Sequence, residues 1–524
     1  MDCARLFHID DADVLRAMVL EQASTIMARD AAIDAHAAAL AARDETIRNR
    51  DIHIEALTFE LARLRRLQFA ARSERMDPEQ RALFDEAMAA DMEAAEARLE
   101  ALRSAPAQPS SPAARPARRP LPAELPRVTT EHEPSCSGCE RCCGALVKIG
   151  EHVRERLACK PIEFFVRREV YPQYACRPCE RIVAAPVPAA ILDRSQADPS
   201  LLAQVTVAKY LDHLPLYRQE GLYARSGVEL SRTTMAEWIG AVGVALQPLV
   251  DALRRELLTC EVLHADETPV AQLDPGAGKT RRAYLFAYRS AVDAPIVVFD
   301  YCGSRSGEHA RRFLGDWRGA LMVDDYAGYK ASFADRRMIE LGCWAHARRK
   351  FVELHKASSS RIAAEAVRRI GELYRIEREA ADMDPDARRD RRREQAVPIL
   401  ESLHDWLREL HPKAMGSSGT AKAIDYCLKR WSALVRYVDD GRYPIDNNPI
   451  ENAIRPIALG RKNWLFAGSE PAGRRAAAIM SLLATAKANG HEPHAWLSDV
   501  LERLPTTKDR DIGSLLPHRR VGAR

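Results

Sequence analysis

Residues 261–270 read EVLHADETPV, and the fold turns on how that stretch is taken. The apolar-leaning run Val262–Ala265 delivers a carboxylate at Asp266, and Pro269 follows three residues later. A run this short, closed by a breaker, has the pattern of a buried central strand ending near Pro269. Asp266 then lies at a strand tip, where an open sheet presents its chemistry. The alternative is an Asp that only caps a turn. Two later stretches bring further acids into the argument.

After Asp266 the chain alternates as strands do, in RRAYLFAYR (281–289) and APIVVFDY (294–301). A helical HARRFLG (309–315) precedes GALMVDDYAGY (319–329), a second apolar strand that ends in acid at Asp324 and Asp325, and then MIELGCW (338–344). Strands, a crossover helix and another strand describe a mixed sheet with helices on its faces. The third acid is in YPIDNNPIENAIRPIALGRKNWLFAG (443–468). There Asn448 is placed to N-cap a helix, with Pro449 at the first position and Glu451 at the third, so Glu451 is either a capping-box partner or a functional acid. Arg455, one turn on, shares a face with Glu451. Arg461 and Lys462 beside Trp464 have a composition suited to a nucleic-acid strand. Three carboxylates suit hard cations, Mg²⁺ or Mn²⁺, and a pair of such ions supports in-line phosphoryl transfer.

The chain has 524 residues, 47% of them hydrophobic, which implies about three or four domains. A net charge of +4 puts any nucleic-acid contact in local patches rather than in the total. The longer apolar runs fall well short of the roughly 20 residues of a membrane span, and the acidic start lacks a secretory signal. A cytoplasmic, nucleoid-associated protein without membrane contact is expected. Twelve cysteines in that setting do not make a disulfide framework.

In 1–103 a helical segment is expected. Ile33, Leu40, Ile47, Ile54 and Leu61 recur every seventh residue, with Leu57 and Leu64 offset by three, a partial coiled-coil seam. It serves either self-association or packing on the chain itself. Asp77, Pro78 and Gln80 begin a second helix. Residues 104–130, Pro- and Ala-rich through Pro126, read as a linker. In 131–190, SCSGCERCCG and YACRPCE carry two Cys-x-x-Cys hooks with zinc-ribbon spacing. Both Cys136/Cys139 and Cys139/Cys142 fit as the first hook; Cys139 and Cys142 are preferred because Gly144 follows, and Cys176 and Cys179 complete the set around one structural Zn²⁺. Within 198–258, helices starting at Asp198–Pro199 and spanning Pro215–Ser226 lead to Gly227 and a third helix capped by Ser231. Arg232, Thr233 and Thr234 lie in its first turn, a helix-turn-helix pattern suited to a DNA groove. That third helix is expected to run on into the strand of Asp266.

HADETPV (264–270), VDDYAGY (323–329) with GCWAHARRKF (342–351), and DNNPIENAIRPIALGRKNWLFAG (446–468) resemble the core of the insertion sequence 66 family of transposases. RLRRLQFAARSERMDPEQ (63–80), the paired hooks and EPHAWLSDVLERLP (492–505) resemble its other segments, so the likeness spans nearly the whole chain. The resemblance implies a ribonuclease-H-like catalytic domain over 259–490, with a helical insertion at about 356–437 and a tail over 491–524. It also implies a DDE-type DNA transposase whose acids are Asp266, Asp324 and Glu451, holding two Mg²⁺ or Mn²⁺ ions. Terminal inverted repeats and target DNA would be the partners, with a homo-oligomer and accessory element-encoded proteins. Where the family has Gly after the second acid this chain has Asp325, and strand alternation lets only one of Asp324 and Asp325 face the metals. The Arg-rich insertion, with RDRRREQ (389–395), reads equally as a solvated helix or as a DNA contact. Cys343 and His346 form a Cys-x-x-His pair with no second pair nearby and read as core or supporting residues. Two rivals remain: a transposase-derived DNA-binding regulator without catalysis, and a metal-dependent nuclease that cuts without joining.

Overall fold

The computed structural model describes residues 121–520 apart from short gaps (122, 124, 134–145, 161–162, 178–179, 193–194, 275–276, 278, 335–336, 359 and 415–417), with scattered positions before residue 96. Of the expected heptad seam, Ile33, Ile54 and Leu57 are described, and each is helical. The other seam positions, the helix start at Asp77, and Cys136, Cys139, Cys142 and Cys179 lie outside the described residues.

A first sheet joins β1 (Arg127–Glu131), β2 (Leu146–Lys160), β3 (Glu163–Cys176) and β4 (Arg181–Ala184). Strand β1 starts directly after Pro126, so the last residues of the expected linker, 127–130, are strand. The long β2–β3 hairpin pairs Leu146 with Cys176, and β4 returns along β3 from Arg181 opposite Cys176. Leu146, Cys176 and Arg181 therefore lie together at one end of the sheet. Val166, Val170 and Cys176 share strand parity and are buried on one face, while Tyr171 on the other face is covered by the stacked His132 ring.

Asp198 ties this sheet to the helices beyond it. It caps α1 (Pro199–Tyr210) by accepting from the Ser200 amide. Although 1% exposed, it faces Arg167 at 3.2 Å and Arg156 at 3.9 Å. Then come α2 (Leu216–Arg225), Gly227 at φ +78°, and α3 (Arg232–Ala245), capped by Ser231. The positive φ is what a glycine supplies at a helix-ending turn. Helix α3 does not continue into the strand. It stops at Ala245, and α4 (Gln247–Leu257), with Pro248 in its first turn, leaves at 46°. Among the described residues no single helix is long and apolar enough to cross a membrane.

The second sheet is built from β5 (Val262–Asp274), β6 (Lys279–Ser290), β7 (Val297–Cys302), β8 (Gly319–Val323) and β9 (Met338–Gly342), in the order β7-β6-β5-β8-β9. The first three are antiparallel neighbours; β8 runs parallel to β5, and β9 parallel to β8. The crossover from β7 to β8 holds α5 (Gly307–Leu314), and that from β8 to β9 holds α6 (Lys330–Ala334). This is a mixed sheet within a multidomain α/β chain. The break expected at Pro269 does not occur: β5 runs to Asp274, and Pro269 pairs with Tyr284. Strand β8 reaches only to His264 on β5, so beyond that point one edge is open. The Pro269 carbonyl accepts from Arg461 there, and Ala271 and Leu273 bond Ala467 on the same edge. Residues of that parity turn their backbone groups to the open edge, where a missing N–H interrupts no ladder.

Five helices come directly after β9. These are α7 (Trp344–Ser358), α8 (Arg361–Glu379), α9 (Pro385–Arg391), α10 (Val397–Leu410) and α11 (Gly419–Lys429), with a short α12 (Trp431–Val435) after them. They enclose a core of their own, including Trp344, Phe351, Ile370, Leu373, Leu403 and Ile424. Then α13 (Asn448–Trp464) crosses back to the open edge of β5. Helix α14 (Glu470–Ala488) covers β7, where Ser481 Oγ and Thr485 Oγ1 accept the amides of Phe299 and Val297 at 2.8 and 3.0 Å. Those two hydroxyls satisfy buried donors of an edge strand. Helix α15 (Pro493–Arg503) packs on α1.

Candidate active site

The ladder between β5 and β8 pairs Val262 with Ala320 and His264 with Met322. Continuing that register by two residues sets Asp266 opposite Asp324, just past the last pair, on one face of the sheet. Asp325 has the opposite parity. Its carboxylate is bound by Arg430, which also holds Glu340 at 2.9 Å, and Lys330 lies 3.7 Å away. Asp324 instead accepts the Tyr326 amide at 2.9 Å, and Asp266 accepts the Glu267 amide at 2.8 Å. Of the two adjacent acids, Asp324 is the one beside Asp266.

Glu451 arrives from the first turn of α13. Helix α13 begins at Asn448, with Asn447 as its cap residue and Asp446 accepting the Asn448 amide at 3.0 Å. Glu451 takes no part in capping. Its Oε2 accepts from Arg349 at 3.0 Å, and its Oε1 lies 3.6 Å from His346 Nδ1, buried and without a hydrogen bond. The capping-box alternative therefore fails on contacts: the carboxylate is turned to α7.

Asn447 fixes the approach of α13. Fully buried, it donates from Nδ2 to the Ala265 carbonyl at 2.9 Å, and its Oδ1 lies 2.9 Å from His264 Nδ1. A carbonyl only accepts, so Nδ2 is the donor, Oδ1 faces the histidine, and His264 carries its proton on Nδ1. Burial lowers His264 to about 4, which keeps it neutral. The Asn447 amide in turn donates to Cys343 Sγ at 3.2 Å. One side chain thus locks the start of α13 to the backbone next to Asp266.

Burial raises Asp266 to about 7; the Glu267 amide opposes that, and the charges of Asp324, Glu267 and Glu451 add to it. Asp324 and Glu451 thus lie close enough to Asp266 for their charges to act on it, and Glu451 Oε1 is buried without a hydrogen bond. Carboxylate oxygens are the donor type that hard divalent ions take. Burial also raises Glu267, against the pull of Arg305, which contacts it at 2.9 Å through Nε. Sequence reasoning did not single out Glu267, Arg349, Asn447 or His264. Only His264 left a signal, as a polar residue inside an apolar strand that had to find a partner.

The expected DNA-contacting residues scatter. Arg232, Thr233 and Thr234 form the first turn of α3, Thr233 exposed and the other two half-buried, but eight of the fourteen residues of that helix are buried. Arg232 already gives its amide to Glu220 at 3.0 Å. Arg455 and Lys462 are exposed on α13 with Asn452 and Leu459, the last 65% exposed. Arg461 braces Pro269. Trp464 turns inward, with its Nε1 3.4 Å from His213 Nδ1, and lines an apolar cavity with Tyr210 and Tyr301. Cys176 is buried at the end of β3.

Comparison with known proteins gives four family matches in chain order. Residues 56–130 match a family described as the transposase C of IS166 homeodomain. Residues 137–180 match the zinc-finger binding domain of transposase IS66, residues 194–475 the transposase IS66 family, and residues 481–518 the IS66 C-terminal element. An uncharacterized protein of Sinorhizobium fredii, y4qI, is 38% identical over 517 residues, covering 94% of each chain. A second from the same organism, y4jD, is 37% identical over 76% of this chain and 81% of its own. The homeodomain match falls on 56–130, upstream of the helix-turn-helix reading at 198–258.

Proposed function

The chain belongs to the IS66 family of transposases, and from that premise we propose that it is a DDE-type DNA transposase whose ribonuclease-H-like domain cuts and joins DNA with Asp266, Asp324 and Glu451. What supports the reading is the shared register of β5 and β8, which sets Asp266 beside Asp324, together with the Asn447 bond that ties the start of α13, and with it Glu451, to β5. Carboxylate oxygens are the donors that Mg²⁺ and Mn²⁺ take, and these three residues would hold two such ions. When bound, the ions activate an attacking oxygen and stabilise the leaving one. Water attacks a phosphodiester at the element end, and the freed 3′ hydroxyl then attacks target DNA by the same in-line route. Each step forms one P–O bond and breaks another.

The protein's own groups supply position. Asn447 and the β5–β8 ladder hold the acids, Arg349 restrains one oxygen of Glu451, and Arg430 keeps Asp325 out of the cluster. Arg455, Lys462 and the first turn of α3 contribute basic and polar groups for the DNA backbone. One structural Zn²⁺ on Cys139, Cys142, Cys176 and Cys179 shapes the ribbon that grips the terminal repeats. The N-terminal helix pairs subunits, so that two ends are processed together, with accessory element-encoded proteins as further partners.

Asp266→Ala, Asp324→Ala and Glu451→Ala should each lower Mg²⁺-dependent nicking of element-end DNA on the order of 10³-fold or more, as when a group acting only in the transition state is lost. Binding of the same DNA should be spared. Full nicking by all three variants would end the proposal.

A further inference from the structure

The Cys-x-x-His pair at Cys343 and His346 has no second pair along the chain, yet the fold brings it a third group from 105 residues away. His346 Nδ1 lies 3.3 Å from Cys343 Sγ and 3.6 Å from Glu451 Oε1. All three ligand atoms fall within 4.8 Å of one another. Ligands at about 2.0–2.3 Å from a tetrahedral zinc stand roughly 3.3–3.6 Å apart, so the two spacings made by His346 already match those a zinc ion requires.

The donor types differ from those of the acid triad. A thiolate, an imidazole and one carboxylate oxygen select borderline-soft ions, where three carboxylates select hard ones. Supporting contacts are in place too. The Asn447 amide donates to Cys343 Sγ at 3.2 Å, the kind of outer bond that orients a metal-bound sulfur. Glu451 Oε1 is buried and has no hydrogen bond. Arg349 opposes a cation here, but it engages Oε2 and leaves Oε1 open. The two anions of the set balance a dication.

We propose that Cys343, His346 and Glu451 form a soft-metal site for Zn²⁺, separate in chemistry from the hard-ion triad, and that an ion there withdraws Glu451 from the triad and stops nicking. The binding half stands on the cluster alone; the inhibitory half rests on the transposase reading. Binding displaces the Cys343 proton, and the ion keeps a fourth position, since only three protein ligands are present.

The test uses the full chain with its ribbon loaded with Zn²⁺, titrated with Co²⁺ in the absence of DNA. A sulfur-to-cobalt charge-transfer band saturating at one added ion per chain is expected. The band should be absent in Cys343→Ser, and its Co²⁺ affinity reduced by more than about a hundredfold in His346→Ala, beyond what losing an outer partner costs. No band in the wild type, or the same band in Cys343→Ser, overturns the site. For the switch, equimolar Zn²⁺ added to Mg²⁺-supported nicking should slow the wild type about tenfold or more, a loss of about 1.4 kcal/mol. The ratio of rates with and without zinc should stay near one in Cys343→Ser. Zinc-indifferent nicking by the wild type overturns the switch. A wild type that never nicks counts against the triad, and the cobalt band is still read.

Discussion

Two regions of this chain bury charge, and they do it in opposite ways. In the helical insertion, Arg392 is 1% exposed and bonded at each nitrogen: Glu377 binds it through both oxygens at 2.8 and 2.6 Å, and the Tyr437 and Asp440 carbonyls accept at 2.6 and 2.8 Å. Beside the second sheet, the charges of Asp324 and Glu451 act on the buried Asp266, and one oxygen of Glu451 has no hydrogen bond. A buried charge bonded at each nitrogen is a device for holding helices together. Like charges brought near one another, with a bond to spare, raise a carboxyl's pKa and mark a candidate functional site.

The strongest way to test the first half of that contrast is to remove one member of the answered pair. Arg392→Ala leaves Glu377 and two carbonyls without their donor and should cost about 3–5 kcal/mol. Replacing both Arg392 and Glu377 by Met and Leu should cost clearly less. Urea unfolding measures both, and equal losses would remove the distinction. On the other side, Asn447→Ala strands the His264 donor and the Ala265 carbonyl, and should cost about 1–3 kcal/mol. It should also slow nicking, because α13 loses its tie to β5; unchanged rates would mean that the tie does not place Glu451.

Asp266→Asn sharpens the contrast through pH. Asp266 keeps its proton up to about pH 7 in the folded chain, against 3.8 as an ordinary carboxyl. The folded state therefore binds the extra proton between those values, and stability falls as pH rises through that window. The amide variant should be more stable than the wild type at pH 8, with the gap closing toward pH 4. A melting-temperature series in which the gap widens on acidification would contradict this. The smallest effect belongs to Asp325→Asn. Its carboxylate is 44% exposed and Arg430 retains Glu340, so stability should change by no more than about 1 kcal/mol. Nicking should persist.

Much of this was legible in the residues, and the failures have physical causes. Strand alternation leaves only one of Asp324 and Asp325 on the face of Asp266, and the ladder register selects Asp324. Asp198, Ser231 and Gly227 announce helix starts and a turn because capping and positive φ are local properties. Pro269 misleads because a proline breaks a strand only when its missing N–H would face a neighbour, and β8 ends before it. Helix α3 reads as a surface helix from its polar first turn, whereas the rest of it is core. Arg392 in an Arg-rich run looks solvated, and its partners lie 15 to 48 residues away. The roles of Asn447 and Cys343 depend on contacts across 182 and 104 positions, which no local pattern carries.

The central claim is that the three acids form one hard-cation site from which Asp325 is excluded. Mn²⁺ titration followed by the electron paramagnetic resonance of the free ion tests it most directly. The wild type and Asp325→Asn should bind Mn²⁺ alike, while Asp266→Asn, Asp324→Asn and Glu451→Gln should each lose most of that binding. Binding that survives Asp324→Asn but disappears in Asp325→Asn would contradict the account.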